Sequence, residues 1–312
     1  MLVSGFLIIL GVVMLYAGGE LLVACAKALA LRFGVSPLVI GLTIVAFATS
    51  CPELAATMTA ALRGSTEMAL GNVIGSNIAN IGLILGTAAL IFPLATSARF
   101  LRREVAFMML ATVMLYPFLI TGTLERWHAL IFLAALTFFL VTLLREPDAN
   151  MEQTAEEVAE MQAAMSVVRA SIGVALGVLV LAGGAQALVA GASNIARAFG
   201  IGDRVIGLTL VAIGTSLPEL ATSIVAARRR ESEMILGNII GSNIFNLLFI
   251  LGMTALVKPL AVAPAVVALD FWMLLATSIT LFVLLATREK LTRIEGGALL
   301  VGYALYMVFL FR

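Results

Sequence analysis

The sequence predicts an all-α polytopic membrane protein whose ten transmembrane helices form two inverted five-helix repeats. Three observations lead there. Of the 312 residues, 62% are hydrophobic and 12% charged, with a mean hydropathy of +1.12. A water-soluble domain is about 45–50% apolar and about 25% charged, so a soluble enzyme, a disordered chain and a nucleic-acid binder are excluded. The apolar residues fall into ten stretches, each near the roughly 20 residues that a bilayer helix needs. Finally, the chain matches itself at an offset of 166 positions.

In order, the predicted spans are 2–24, 38–62, 69–91, 104–121, 127–144, 167–190, 205–227, 234–257, 266–286 and 294–311. The first lacks a basic lead and a small-residue cleavage site, so it reads as a retained helix rather than a signal peptide. Between the fifth and sixth spans runs the one long polar segment, 145–166, with Glu146, Asp148, Glu152, Glu156, Glu157 and Glu160. Its acids lack the spacing of a calcium loop, and it reads as a solvated helical linker. The domains are therefore 1–144, the first repeat; 145–166, an acidic linker; and 167–312, the second repeat.

Loops after the odd-numbered spans hold 13 of the Lys and Arg residues, among them Lys27, Arg32, Arg99, Arg102, Arg103 and the run 228–230; the other side holds 6, including Arg204 and Arg312. The positive-inside bias places the richer side in the cytoplasm and both termini outside. With 19 Lys+Arg against 18 Asp+Glu, there is no charge surplus to attract a nucleic acid or another charged macromolecule. No obligatory protein partner is evident, and lipid is the surrounding phase. Cys25 and Cys51 make no disulfide framework. His128, the only histidine, reads as a surface residue at an outer helix start.

The self-match is densest where residues 39–94 lie on 205–260, with about 34 identities in about 56 positions and no gap. Weaker matches at the same offset pair Gly18 with Gly184 and Phe33 with Phe199. Each repeat holds five spans, an odd number, so the second enters the membrane from the opposite side. Like units in opposite orientation are related by a pseudo-two-fold axis in the membrane plane, and equivalent residues meet near the midplane.

The duplicated part is also where the polar residues lie. Thr49, Ser50, Cys51, Pro52 and Glu53 fall in mid-span, and Thr215, Ser216, Leu217, Pro218 and Glu219 repeat them. An ionisable side chain at bilayer depth costs at least ~2.5–3.5 kcal/mol, which marks it as functional. Each proline lacks an N–H and displaces the carbonyl four residues earlier, freeing oxygens around 46–48 and 212–214. Spacings of three and four place Thr49, Ser50 and Glu53 on one helix face. The following spans carry Asn72, Gly75, Ser76, Asn77 and Asn80, repeated as Asn238, Gly241, Ser242, Asn243 and Asn246. The glycine pairs Gly71/Gly75 and Gly237/Gly241 permit close helix approach, and amide-bonded helix packing alone is the lesser alternative for Asn72, Asn77, Asn238 and Asn243. Carboxylates, hydroxyls, amide oxygens and freed carbonyls make an all-oxygen surrounding suited to Na+ or Ca2+. Two ionised glutamates balance one Ca2+ or two Na+, and competition for them is the simplest basis for antiport.

The doubled motifs T-S-x-P-E and G-N-x-x-G-S-N-I resemble the two α-repeats of the cation/calcium exchanger superfamily, specifically the prokaryotic sodium/calcium exchangers, over essentially the whole chain. The resemblance implies that Glu53, Glu219, Thr49 and Thr215 hold Ca2+. It implies that Na+ is held by the same glutamates with Ser50, Ser216, Ser76, Ser242, Asn80, Asn246 and the carbonyls of Ala46 and Ala212. Ca2+ and Na+ are then transported ions, no cofactor is needed, and helices 1 and 6 slide against the remaining bundle. Position 246 is Asn where some archaeal relatives carry Asp, which argues against K+ co-transport. Ala48 stands where the second repeat has Gly214, stiffening one turn. Glu20, matched by Gln186, reads as an interfacial residue, and Glu104 with Asp270 as a structural pair near helix starts.

Alternatives stay open at this point. A buried glutamate can exchange a proton, so H+ could replace Na+ as the coupling ion. An ion channel and an intramembrane hydrolase built on the two glutamates are less favoured. No Ser–His, Cys–His or H-E-x-x-H arrangement accompanies the pair.

Overall fold

The structure, a computed structural model, describes residues 2–145, 165–200 and 212–310. Most of the acidic linker, residues 205–211 of the seventh predicted span, Arg204 and Arg312 lie outside the described residues. The described chain is helical throughout, apart from two short strand pairs. Seven helices are long and apolar enough to cross a membrane: α1 (Leu2–Phe33), α4 (Thr66–Ile91), α6 (Arg126–Arg145), α7 (Val167–Ala198), α10 (Ser232–Val257), α11 (Val266–Arg288) and α12 (Arg293–Leu310). An eighth span is a bent pair, α2 (Pro37–Thr49) and α3 (Cys51–Leu62), angled by 42°. The two remaining predicted spans appear as α5 (Ala106–Leu119), entered through a π-helical turn at Leu101–Val105, and as α8 (Ala212–Thr215) with α9 (Leu217–Arg228).

Two expectations about loops need correction. Helices α1 and α7 each run for 32 residues, well past the predicted ends at 24 and 190. Lys27 and Arg32 therefore lie on a helix, not in a loop, and Arg99, Arg102 and Arg103 lie in the helical lead-in to α5. Hydropathy reports how long a segment is apolar, whereas a helix continues wherever its backbone bonds are satisfied. His128 is also misplaced as a surface residue. It is 1% exposed, accepts the Glu125 N–H at Nδ1 over 2.9 Å, and packs against Phe118 and Trp127. An imidazole that caps a helix start with its ring against aromatics is a building part.

Burial separates centre from rim. In α4 and α10, 72% and 83% of the apolar window is buried, against 17–33% in α1, α6, α7, α11 and α12. The rim helices present large apolar side chains outward, such as Phe6, Ile9, Phe138, Leu179 and Val301. That pattern suits lipid, which has no water to oppose exposed hydrocarbon.

The halves interlock. Helix α10 packs on α2, where a Cβ on Gly41 would meet the Met234 carbonyl at 2.9 Å and one on Gly241 the Leu42 carbonyl at 2.8 Å. The equivalent face at Gly71 and Gly75 meets nothing within 4 Å among the described residues. Its counterpart, around 204–212, falls almost wholly outside them. Helices α12 and α6 close on α4 and α10 at Gly86 and Gly252, two glycines 166 positions apart. Helix α1 lies along α7 through Gly11, Gly18, Gly177, Gly184 and Gly191, and also meets α9 and α2. Small residues let backbones approach where hydrophobic force is absent.

The strand pairs were not anticipated by an all-α reading. β1 (Leu94–Ala95) pairs antiparallel with β4 (Lys290–Leu291), and β2 (Thr123–Leu124) with β3 (Leu260–Ala261). Each ribbon ties a loop of one half to a loop of the other, and two residues carry too little periodicity to be read.

Candidate cation site

Pro52 and Pro218 shape the site. Neither has an N–H for the carbonyl four residues earlier, and in both halves the helix stops and restarts just ahead of the proline. Ser50 occupies the first break at φ −80°, ψ 0°, and Ser216 the second at φ −90°, ψ 5°. Glu53 and Glu219 then fall in the first turns of α3 and α9, where unpaired backbone N–H groups favour negative charge. A 42° bend falls between Thr49, which ends α2, and Glu53, which opens α3, yet the side chains of Thr49, Ser50 and Glu53 all turn toward the other half.

That turn creates a reciprocal exchange. Ser216 Oγ donates to Glu53 Oε1 over 3.0 Å, and Ser50 Oγ to Glu219 Oε1 over 3.4 Å. Thr49 also stands within hydrogen-bonding reach of Glu219, and its Oγ1 lies 3.3 Å from Asn238 Oδ1. The carboxylates are electrostatic neighbours, each 1% exposed, and the second oxygen of each has no hydrogen-bond partner among the described residues. An ionised pair so buried needs a counter-charge. No cluster of three or more His, Cys, Asp or Glu side chains forms among the described residues, so two acids carry the site's charge.

Further residues picked from the sequence lie on α4 and α10, the helices that pack against α3 and α9. Ser76, Ser242, Asn80 and Asn246 are all buried on α4 and α10. Asn80 opens the π-helical turn Asn80–Leu85, and Asn246 lies second in its counterpart, Phe245–Ile250. Such widened turns are common at functional sites because they push carbonyls and side chains off the regular ladder. Asn80 Oδ1, Ser242 Oγ and both polar atoms of Asn246 lack partners among the described residues. Thr215 is half-buried at the end of α8, where Thr49 is buried. The Ala46 carbonyl accepts the Ser50 N–H over 3.0 Å and lies 3.4 Å from Thr49 Oγ1. The Ser216 N–H donates to the Ile213 carbonyl over 3.1 Å.

Other residues find partners that the sequence did not name. Asn72 donates to Thr57 Oγ1 over 2.9 Å and lies 3.4 Å from the Glu53 carbonyl, while Asn238 faces Thr49 across the halves. Asn72 thus meets the backbone of Glu53, and Asn238 the threonine four residues ahead of that glutamate; their signal was repetition one turn ahead of Ser76 and Ser242. Cys51 points its thiol to the Phe47 carbonyl over 3.3 Å. Gly214 stands against Val189 of α7, so the glycine serves a close approach to that helix. Glu20 pairs with Arg229, and Lys27 with Glu231 over 3.2 Å.

The family profile described as sodium/calcium exchanger protein matches residues 3–145 and again 170–312. This chain belongs to that family. It is a multi-pass membrane transporter of the prokaryotic cation/calcium exchanger kind. Among its relatives are the putative antiporter CaxA of Alkalimonas amylolytica, 37% identical across 100% of this chain and 99% of the relative. The sodium/calcium exchanger MaX1 of Methanosarcina acetivorans is 34% identical, with 99% of each chain covered. The solved sodium-calcium exchanger NCX_Mj, soaked with zero Na+ and Ca2+, superimposes with a TM-score of 0.84 at 31% identity over 99% of each chain. The exchanger is thus a cation/Ca2+ antiporter by family, and its site agrees with that chemistry.

Proposed function

We propose that this exchanger moves Ca2+ against Na+ by alternating access, with the two ions competing for Glu53 and Glu219. The carrying observation is the reciprocal bonding of each glutamate to the serine of the opposite half. A charge of −2 in a buried oxygen cage accommodates one Ca2+ or two Na+, so loading one expels the other.

In this reading Glu53, Glu219, Thr49 and Thr215 take Ca2+. Na+ uses the glutamates with Ser50, Ser216, Ser76, Ser242, Asn80, Asn246 and the carbonyls of Ala46 and Ala212. The ten spans form two inverted repeats, 1–144 and 167–312, joined by a cytoplasmic linker at 145–166. Both termini face out of the cell membrane. The equivalence of the helix breaks, widened turns and interlocking glycines in the two halves supports the inversion. A rim pair, α1 and α7, joined by a smooth glycine seam is the element able to move past the centre.

Reconstituted vesicles test the coupling. Uptake of 45Ca2+ should follow an imposed Na+ gradient and ignore a pH gradient. Uptake that follows the pH gradient alone would assign H+ as the coupling ion, and failure to concentrate Ca2+ would leave a channel.

A further inference from the structure

A relay of hydrogen bonds beside the glutamates assigns a task to Asn243, and the argument rests on the exchanger reading above. Asn243 is 1% exposed, and its Nδ2 donates to Met108 Sδ over 3.5 Å. A thioether can only accept, so the amide must turn its NH2 group to Met108 and its oxygen the other way. That oxygen accepts from Asn80 Nδ2 over 3.0 Å. Asn80 therefore also has its orientation set: its NH2 faces Asn243, and its Oδ1 is left as a buried acceptor without a protein partner among the described residues.

Among the described residues the other half shows no such relay. Asn77, the repeat mate of Asn243, donates Nδ2 to the Val73 carbonyl of its own helix over 2.7 Å. Asn246, the mate of Asn80, has neither amide atom engaged among the described residues. The duplicated motif thus contains one oriented amide oxygen and one unoriented amide, although all four residues are asparagine.

We propose that Asn243 is a positioning residue for Na+ selection, holding the Asn80 amide so that oxygen rather than NH2 is offered to the cation. A flipped Asn80 would present a positive edge in a space meant for cations. The effect should fall chiefly on Na+, because the two carboxylates dominate the attraction for a divalent ion while a neutral oxygen is a larger share of a monovalent site.

The test is Na+-driven 45Ca2+ uptake in proteoliposomes, with half-saturating Na+ and Ca2+ measured separately. Asn243→Leu should raise half-saturating Na+ by about 10–100-fold, the range found when residues that orient metal ligands are removed, with half-saturating Ca2+ moving far less. Asn77→Leu should leave both within about threefold, since its amide orients no ligand. Met108→Leu keeps the volume and removes the accepting sulfur; it should shift Na+ in the same direction by less, and it decides the matter if Asn243→Leu fails to fold. Equal shifts in Na+ and Ca2+, an Asn77→Leu effect as large as that of Asn243→Leu, or an unmoved Na+ dependence in Met108→Leu would overturn the proposal. Wild-type protein without Na+-driven uptake would instead defeat the exchanger reading itself.

Discussion

Replacing Glu219 by glutamine isolates charge from shape. The amide is isosteric with the carboxylate and keeps the oxygen that accepts from Ser50 over 3.4 Å, so the break at Ser216 and the packing of α9 are preserved. The change halves the site charge, from two carboxylates to one. At an effective dielectric of about 20, a unit charge pair 4 Å apart is worth about 4 kcal/mol. Ca2+ therefore loses about 8 kcal/mol of gross attraction and Na+ about 4. At 1.36 kcal/mol per decade, the difference is about three decades of affinity against Ca2+. Thermal unfolding in detergent reads this directly. Wild-type protein at Ca2+ 100-fold above its dissociation constant gains about 2.7 kcal/mol, and Glu219→Gln should gain nothing at the same concentration. Without Ca2+ the variant should unfold no earlier than wild type, because one of two neighbouring buried acids has gone. Flux of 45Ca2+ in vesicles should drop to background. A variant that keeps the wild-type Ca2+-dependent rise refutes the argument, since a site held together by charge cannot lose half of it silently.

Three further outcomes are expected. A side chain at Gly184 would collide with the Leu15 backbone nitrogen at 2.9 Å and the Gly11 carbonyl at 3.0 Å, so Gly184→Leu should cost about 1–3 kcal/mol by overpacking. It should also stop Ca2+ uptake even in the folded fraction, and size-exclusion with flux would check both. The Glu20–Arg229 pair joins α1 to the end of α9 with side chains 29% and 40% exposed, so Glu20→Arg should lower stability by no more than about 1 kcal/mol. It should shift the balance of inward and outward Ca2+ flux, and the double exchange Glu20→Arg, Arg229→Glu should restore it; a double variant no better than the single would refute the link. Asn246→Asp adds a third negative charge beside the glutamates, so each cycle should carry one more monovalent cation. Flux under imposed membrane potentials counts the charge moved per Ca2+, and an unchanged count would contradict the charge-balance argument.

Much of the site was legible because membranes penalise polar residues so heavily. Glu53 and Glu219 stand out among apolar neighbours, and Pro52 and Pro218 announce broken helices through local chemistry alone. The structure sets Ser50 against Glu219, Ser216 against Glu53 and Asn80 against Asn243 across the halves; repetition at a fixed offset suggested that the halves meet, not which residues pair. The misreadings share a cause. Lys27 and His128 were assigned by the polarity of their own segment, yet a helix outlasts its apolar stretch and a histidine is buried when its ring finds aromatic neighbours. The strand pairs β1–β4 and β2–β3 join residues nearly 140 to 200 positions apart, and two-residue contacts leave no trace in periodicity.

From the chain alone came the membrane character, the duplication, the two acids and the breaks beside them. All four follow from composition, repetition or covalent geometry, which act within a few residues. Tertiary structure alone decided that each serine serves the opposite glutamate, that Asn243 accepts from Asn80 while Asn77 donates to its own helix, and that Glu20 meets Arg229. Those outcomes depend on the angle at each break and on which helices the glycine faces admit. Near-identical repeats with the same residues can therefore hold their amides differently, because distant packing rather than local sequence sets where each side chain finds its partner.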